Sequence, residues 1–284
     1  MNVTYDLIKG ALRSALLTAY PRSLSGIPYS HEMFRAASAL ATEFDLKVPN
    51  ELFVCDLELE IAGRFWAVES TIQKYHPSLV IDIGSGLSPR GLIQKADYGR
   101  DVVEIDLPSM IRLKQKVLDI ISMPDSKRPA TLSADASRET EITKALENTP
   151  GSTFSCVVCE GLMWYLDWPG REILAAAIRE YLSTTRGVWI TSDCPPIRNE
   201  HTNSDVTSWR QVIPRSAGVD DSRKFANPEQ FAQFFSQLGF DVEIIPLSDM
   251  IPRGILSRYE DDKIRYRQIL QRLDSYASIA VLKC

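Results

Sequence analysis

Residues 80–91 read VIDIGSGLSPRG and residues 98–108 read YGRDVVEIDLP. The first is an apolar run that stops at Gly84 and Gly86; the second is an apolar run that ends in Glu104 and Asp106. Short apolar runs bounded by turn residues are buried strands, and a strand that ends in glycines with an acid at the end of the next strand brackets a nucleotide-like ligand. A dinucleotide fingerprint needs a third glycine three positions after the second, and position 89 is a proline. No G-K-[ST] follows either, so neither a hydride-carrying dinucleotide nor a P-loop nucleotide fits this turn.

Outward from this pair the alternation continues. SLVIDIG, DVVEID, ATLSAD, TFSCVVCE, GVWITSD, DVEIIPL and SYASIAVLKC are seven candidate strands. Between them lie helical patterns: LPSMIRLKQKVLDII, with Met110, Lys114, Val117 and Ile121 on one face, then ETEITKALEN, WPGREILAAAIREYLS and NPEQFAQFFSQLG. A further helix is expected around RYEDDKIRYRQILQRLDS. Strands alternating with helices predict an α/β fold with a mainly parallel sheet. Residues 1–75 carry helical periodicity instead: Ser30 is expected to cap a helix through Met33, Phe34, Ala37, Leu40, Ala41 and Phe44, and another helix runs from about Asp56 to Tyr75. No repeat or linker divides the chain.

The composition is that of a soluble globular protein, 44% hydrophobic and 24% charged over 284 residues. A formal net charge of −5 argues against nucleic acid or an anionic membrane as partner and leaves a small molecule or a protein. No stretch is apolar enough to span a bilayer, and acids and Arg13 interrupt the amino-terminal segment, so a cytoplasmic protein is expected. The odd number of cysteines, Cys55, Cys156, Cys159, Cys194 and Cys284, suits a reducing compartment. Cys156 and Cys159 form a C-x-x-C inside a strand, where residues three apart point to opposite faces; no metal is expected there.

Three further strand endings refine the ligand. Asp106 can accept two hydrogen bonds from a ribose diol. Asp135, with the next backbone amide at Ala136, can hold an adenine edge, and Glu160-Gly161 closes the fourth strand. Acids at successive strand ends with no basic cluster for phosphate describe a cofactor with adenosine and a positive charge, as S-adenosylmethionine has. Asp106 is also placed to cap the helix that begins at Leu107-Pro108, and Glu160 to accept from a helix amide.

VIDIGSGLSPRG, VEIDLPSMIRLKQKVL, SAD and CEGLMWYL together resemble the leucine carboxyl methyltransferase-like family, which includes polyketide O-methyltransferases of the tetracenomycin type. The resemblance covers Ile61 to Asp193 best. It implies a class I methyltransferase (Rossmann-like) fold: a seven-stranded sheet with the last strand antiparallel, helices on both faces, an amino-terminal helical cap at 1–75 and a cofactor-binding core at 76–284 with a substrate-side insertion at 195–225. It implies S-adenosylmethionine as cofactor, with Gly84, Ser85 and Gly86 in the cofactor loop, Asp106 on the ribose, Asp135 and Ala136 on the adenine, and Glu160 near the methionine end. Arg64 resembles the family arginine that pairs with the cofactor carboxylate. Arg90 is retained in a loop where Ser88-Pro89 replaces the usual Asp-Thr.

Methyl transfer needs a positioned acceptor and no covalent intermediate. A carboxylate acceptor needs no base; a phenol, with a pKa near 10, profits from one. The candidates for such a group are His201, in the polar segment after the fifth strand, His31 at a helix start, and Tyr165, which with Trp164 stands at the start of an apolar helix; His76 precedes the first strand at the opposite end. The expected activity is O-methylation of a hydroxyl or carboxyl on a small, polyketide-like acceptor. Methylation of a protein carboxyl terminus, or an inactive cofactor-binding scaffold, are the alternatives. The oligomeric state is not legible.

Overall fold

The computed structural model describes residues 3–41, 55–197, 224–252 and 270–284. Seven strands form one sheet: β1 (Leu79–Ile83), β2 (Asp101–Asp106), β3 (Ala130–Ser133), β4 (Ser155–Cys159), β5 (Gly187–Cys194), β6 (Asp241–Pro246) and β7 (Ser278–Lys283). Their order is β3-β2-β1-β4-β5-β7-β6. All pairings are parallel except those of β7, which runs antiparallel to both β5 and β6. The seven strands expected from the sequence are all present.

β1 and β4 are buried along their whole length, as central parallel strands covered on both faces must be. Cys156 packs on one face of the sheet and Cys159 on the other, in separate clusters. One face is covered by α5 (Glu139–Glu147), α6 (Trp168–Thr185) and α7 (Pro228–Gln237), the other by α3 (Cys55–Tyr75) and α4 (Pro108–Ile120). Phe231 and Phe235 of α7 surround Trp189 of β5 and are fully buried; each such ring contributes roughly 1.5–3 kcal/mol.

The helix starts are written locally. Asp167 accepts a hydrogen bond from the Gly170 amide at 2.9 Å ahead of Pro169, and Asn227 accepts from the Gln230 amide at 2.8 Å ahead of Pro228. α7 stops at Gly239, whose φ of 89° is left-handed and costs little only for glycine. Two amino-terminal helices, α1 (Val3–Leu24) and α2 (Ser30–Leu40), pack on α3 and α4 through Leu12, Leu16, Met33, Ala37, Leu113 and Val117.

Some expectations are corrected. Ser30 does not cap α2: the cap is Tyr29, in left-handed backbone at φ 64°, and the Ser30 hydroxyl is turned back to the Ile27 and Arg22 carbonyls. Phe44 lies outside the described residues, as does most of the helix expected near 258–275, of which 270–274 are helical. The third strand stops at Ser133 and the sixth at Pro246, because the chain turns into a short helix at Leu247–Met250. A π-helical turn over Ile93–Asp97 had no signal in the sequence.

Candidate functional site

The strand order reverses beside β1: the chain steps outward through β2 and β3, then returns to β4 on the other side. A crevice opens at such a point beyond the carboxyl ends of the strands. Here it is a cavity of about 390 Å³, within the range of small-molecule sites. Its floor is the segments after β1, β2, β3 and β4; its wall includes Ala11, Ser14, Thr18 and Arg22 of α1 and Glu60 and Arg64 of α3.

The glycine loop is set by backbone geometry. Gly84 and Gly86 sit at φ 72° and 49°, and the Gly84 amide donates to the Ile105 carbonyl at 2.8 Å, tying the loop to the end of β2. A side chain at Gly84 would press on Leu162 in the loop after β4. The Ser85 hydroxyl is buried in the cavity wall without a hydrogen-bond partner among the described residues.

Asp106 accepts from the Gly86 amide through one carboxylate oxygen and from the Leu107 amide through the other, both at 2.7 Å. It is not the cap of α4; that position is Leu107, with Pro108 opening the helix. Burial pushes the Asp106 carboxyl up to about 6, the two amides pulling the other way. Behind it, Glu104 and Lys114 form a buried pair at 2.7 Å, which accounts for the acid and the lysine of the 103–118 motif. Burial pushes the Glu104 carboxyl up against the pull of Lys114. Gly91 is required here, since a Cβ would collide with the Glu104 carboxyl.

At β3, the Asp135 carboxylate accepts from both the amide and the hydroxyl of Ser137, and the Asp135 amide donates to Glu141. The Ala136 amide makes no hydrogen bond among the described residues, and both residues line the cavity.

The β1–β4 end is a charge cluster. Arg90, fully buried and stacked on Phe65, meets Glu69 at 2.7 Å, Glu160 at 2.6 Å and Asp82 at 3.6 Å. Glu160 is thus satisfied by an arginine and not by a helix amide. Burial raises its pKa, but Arg90, Arg64 and Arg22 outweigh that and hold it below the usual carboxylate range. Arg64 is held by Asp193 at 2.8 Å and the Ser192 hydroxyl at 3.1 Å. Asp193 in turn accepts from the amides of Gly161, Leu162 and Met163, so β5 fixes the loop that carries Glu160.

Trp164 and Tyr165 line the cavity from a turn ahead of α6, which begins only at Trp168. Tyr165 is hydrogen-bonded to Ser14 of α1, and burial raises its pKa. His31 is exposed on α2 away from the cavity, and His76 is exposed before β1. His201 lies outside the described residues. Asp82, Glu69, Asp193 and Arg22 were not anticipated. Asp82 and Asp193 had a signal, an acid within or ending an apolar strand; Glu69 and Arg22 had none.

A profile of the family described as leucine carboxyl methyltransferase matches residues 35–178, half of the chain. The chain belongs to the leucine carboxyl methyltransferase family. Comparison with curated proteins gave no match. Among solved structures, PigF with SAH is similar at 12% identity, TM-score 0.52, over 90% of this chain and 70% of that one. The human N-acetylserotonin methyltransferase in complex with SAM is similar at 9% identity, TM-score 0.49, over 95% and 66%. The methyltransferase domain of bacterial CtHen1 is similar at 13% identity, TM-score 0.49, over 79% and 100%. The sheet order and the likeness to PigF give this family member the class I methyltransferase fold. No helix among its described residues is long and apolar enough to cross a membrane.

Proposed function

We propose that this member of the family is an S-adenosylmethionine-dependent O-methyltransferase acting on a hydroxyl or carboxyl group of a small, polyketide-like acceptor. The observation that carries the reading is Asp106. It stands at the open end of the crevice, holds only backbone amides of Gly86 and Leu107, and so keeps lone pairs for a diol.

The other donors and acceptors fit the same cofactor. Ala136 offers an unused amide beside Asp135 for a base edge, and the buried Ser85 hydroxyl has no partner of its own among the described residues. Glu160, held ionised by three arginines, suits a cationic amino or sulfonium group. When bound, S-adenosylmethionine supplies a methyl group already activated for displacement. The chain's task is then to align an acceptor oxygen and keep water away. Leu87, Met110, Leu162, Trp164 and Leu166 give the cavity an apolar lining that supports a small acceptor over a peptide. Burial keeps the Tyr165 phenol protonated, so it serves as a hydrogen-bond donor to the acceptor and not as a base.

Residues 1–75 act in this reading as a cap over the core at 76–284, with Ser14 and Tyr165 joining the two. Calorimetric titration with S-adenosylmethionine and S-adenosylhomocysteine tests the cofactor. Micromolar binding that Asp106→Ala weakens about 100-fold is expected, two charge-assisted hydrogen bonds being lost. Folded protein that binds neither compound would overturn the assignment. Transfer of a labelled methyl group to a panel of aromatic hydroxy acids, compared with a peptide ending in a free carboxylate, tests the acceptor class.

A further inference from the structure

Three arginines stand in or against the cavity, and their partners differ. Arg90 is neutralised by Glu69, Glu160 and Asp82. Arg64, the residue that resembles the family's carboxylate anchor, is engaged by Asp193 and Ser192. Arg22, near the carboxyl end of α1, has neither arrangement. It is 7% exposed; its guanidinium reaches the Leu87 carbonyl at a long 3.5 Å, and its Nε is buried without a hydrogen bond. Among the described residues no carboxylate lies within ion-pair distance of it. Leaving a buried guanidinium unpaired costs several kcal/mol, and burial lowers its pKa accordingly.

The position is nevertheless held in place. The Arg22 carbonyl accepts from the Ser25 hydroxyl at 2.6 Å and the Ser30 hydroxyl at 3.1 Å, which fixes the turn between α1 and α2. The side chain points to the glycine loop and lines the cavity. A guanidinium with free donors in a closed site matches a carboxylate, which it can bind through two parallel hydrogen bonds. The cavity has two ends. Asp106, Asp135 and Ala136 occupy the one read above as the adenosine end; Arg22 feels Glu160, Arg90, Asp82 and Arg64 at the other, where a molecule anchored by its adenosine would place its amino-acid group.

We propose that Arg22 of the first helix binds the α-carboxylate of the methyl donor, so that the cap is itself part of the cofactor site. The ammonium of the same group then faces Glu160, and cofactor binding fastens α1 to the glycine loop. This rests on the S-adenosylmethionine reading above.

The test compares two compounds on three proteins. S-Adenosylhomocysteine carries the amino-acid group; 5′-methylthioadenosine lacks it. Arg22→Met is expected to weaken S-adenosylhomocysteine about 10- to 100-fold and to leave 5′-methylthioadenosine within about twofold, with Arg22→Lys recovering much of the loss. The ligand-free Arg22→Met protein is expected to melt at a higher temperature, because an unpaired buried charge has been removed. Unchanged S-adenosylhomocysteine affinity would overturn the proposal and, if the KM of a carboxylic acceptor rose instead, would assign Arg22 to the acceptor. Equal weakening of both compounds, or a lower melting temperature without ligand, would make Arg22 a structural residue and also overturn it. Wild-type protein that binds neither compound would instead remove the cofactor reading on which the proposal stands.

Discussion

At the β1–β4 end of the cavity, charged side chains neutralise one another: Arg90 with Glu69, Glu160 and Asp82, Arg64 with Asp193. At the β2–β3 end the acids meet backbone amides and a hydroxyl, with no cation as first partner: Asp106 with Gly86 and Leu107, Asp135 with Ser137. Buried ion pairs are costly to break because the survivor keeps its charge without a partner. An acid on amides loses less when removed and has lone pairs to spare. The first end therefore belongs to folding as much as to binding, whereas the second is free to serve the ligand.

The sharpest way to break this contrast is Arg90→Met. Three carboxylates lose their common partner, and the expected cost is about 3–5 kcal/mol of unfolding free energy, read from urea denaturation. A loss below about 1 kcal/mol would show that the cluster is not what holds this end together. Next comes Asp193→Asn, which keeps the size of the side chain but replaces one of the oxygens that receive Arg64 and the amides of 161–163. Here about 1–3 kcal/mol is expected by the same measurement, together with weaker S-adenosylhomocysteine binding as the Glu160 loop loosens.

At the other end the expected response is to pH. Asp106 is pushed up to about 6, so its ionised, accepting form is gained as pH rises through that value. S-Adenosylhomocysteine affinity should fall up to tenfold per pH unit below about 6, level off above it, and become flat in Asp106→Asn. The stability of the ligand-free protein should move the opposite way. An acid whose folded pKa lies above its unfolded value of about 3.9 contributes stability at low pH and loses it as pH climbs toward 6. Titrations across pH 4.5–8 with parallel melting curves check both signs. The smallest effect is Asp135→Ala, which removes the turn to Ser137; about 0.5–1.5 kcal/mol, or a few-fold in affinity, is expected.

The two ends were also unequally legible. Strands appear in the sequence because sheets covered on both faces demand apolar runs, and acids at strand ends stand out against those runs. Asp106, Asp135 and Glu160 were found in this way. Arg64 and Arg90 were placed at the site by resemblance, but nothing local names their partners: Glu69 lies on a helix 21 residues before Arg90, and Asp193 follows Arg64 by 129. Arg22 is one of several basic residues in an amino-terminal helix until the fold carries it to the glycine loop. Tyr165 was assigned to a helix start although the Asp167-Trp168-Pro169 signal, a capping acid and a proline, marks the true start three residues later. Ser30 failed as a cap because left-handed Tyr29 turns the chain before it.

The sheet order has a consequence for the way this chain is made. β6 has β7 as its sole neighbour, and β7 must slot between it and β5, which precede it in the chain. While the polypeptide is being synthesised, β1 to β5 can pair in the order in which they emerge. β6 cannot, and it stays outside the sheet until residues 278–283 leave the ribosome, a delay on the order of seconds at ordinary elongation rates. During that interval the β5 edge is open to other chains, and closure of the domain is timed by the emergence of its last strand.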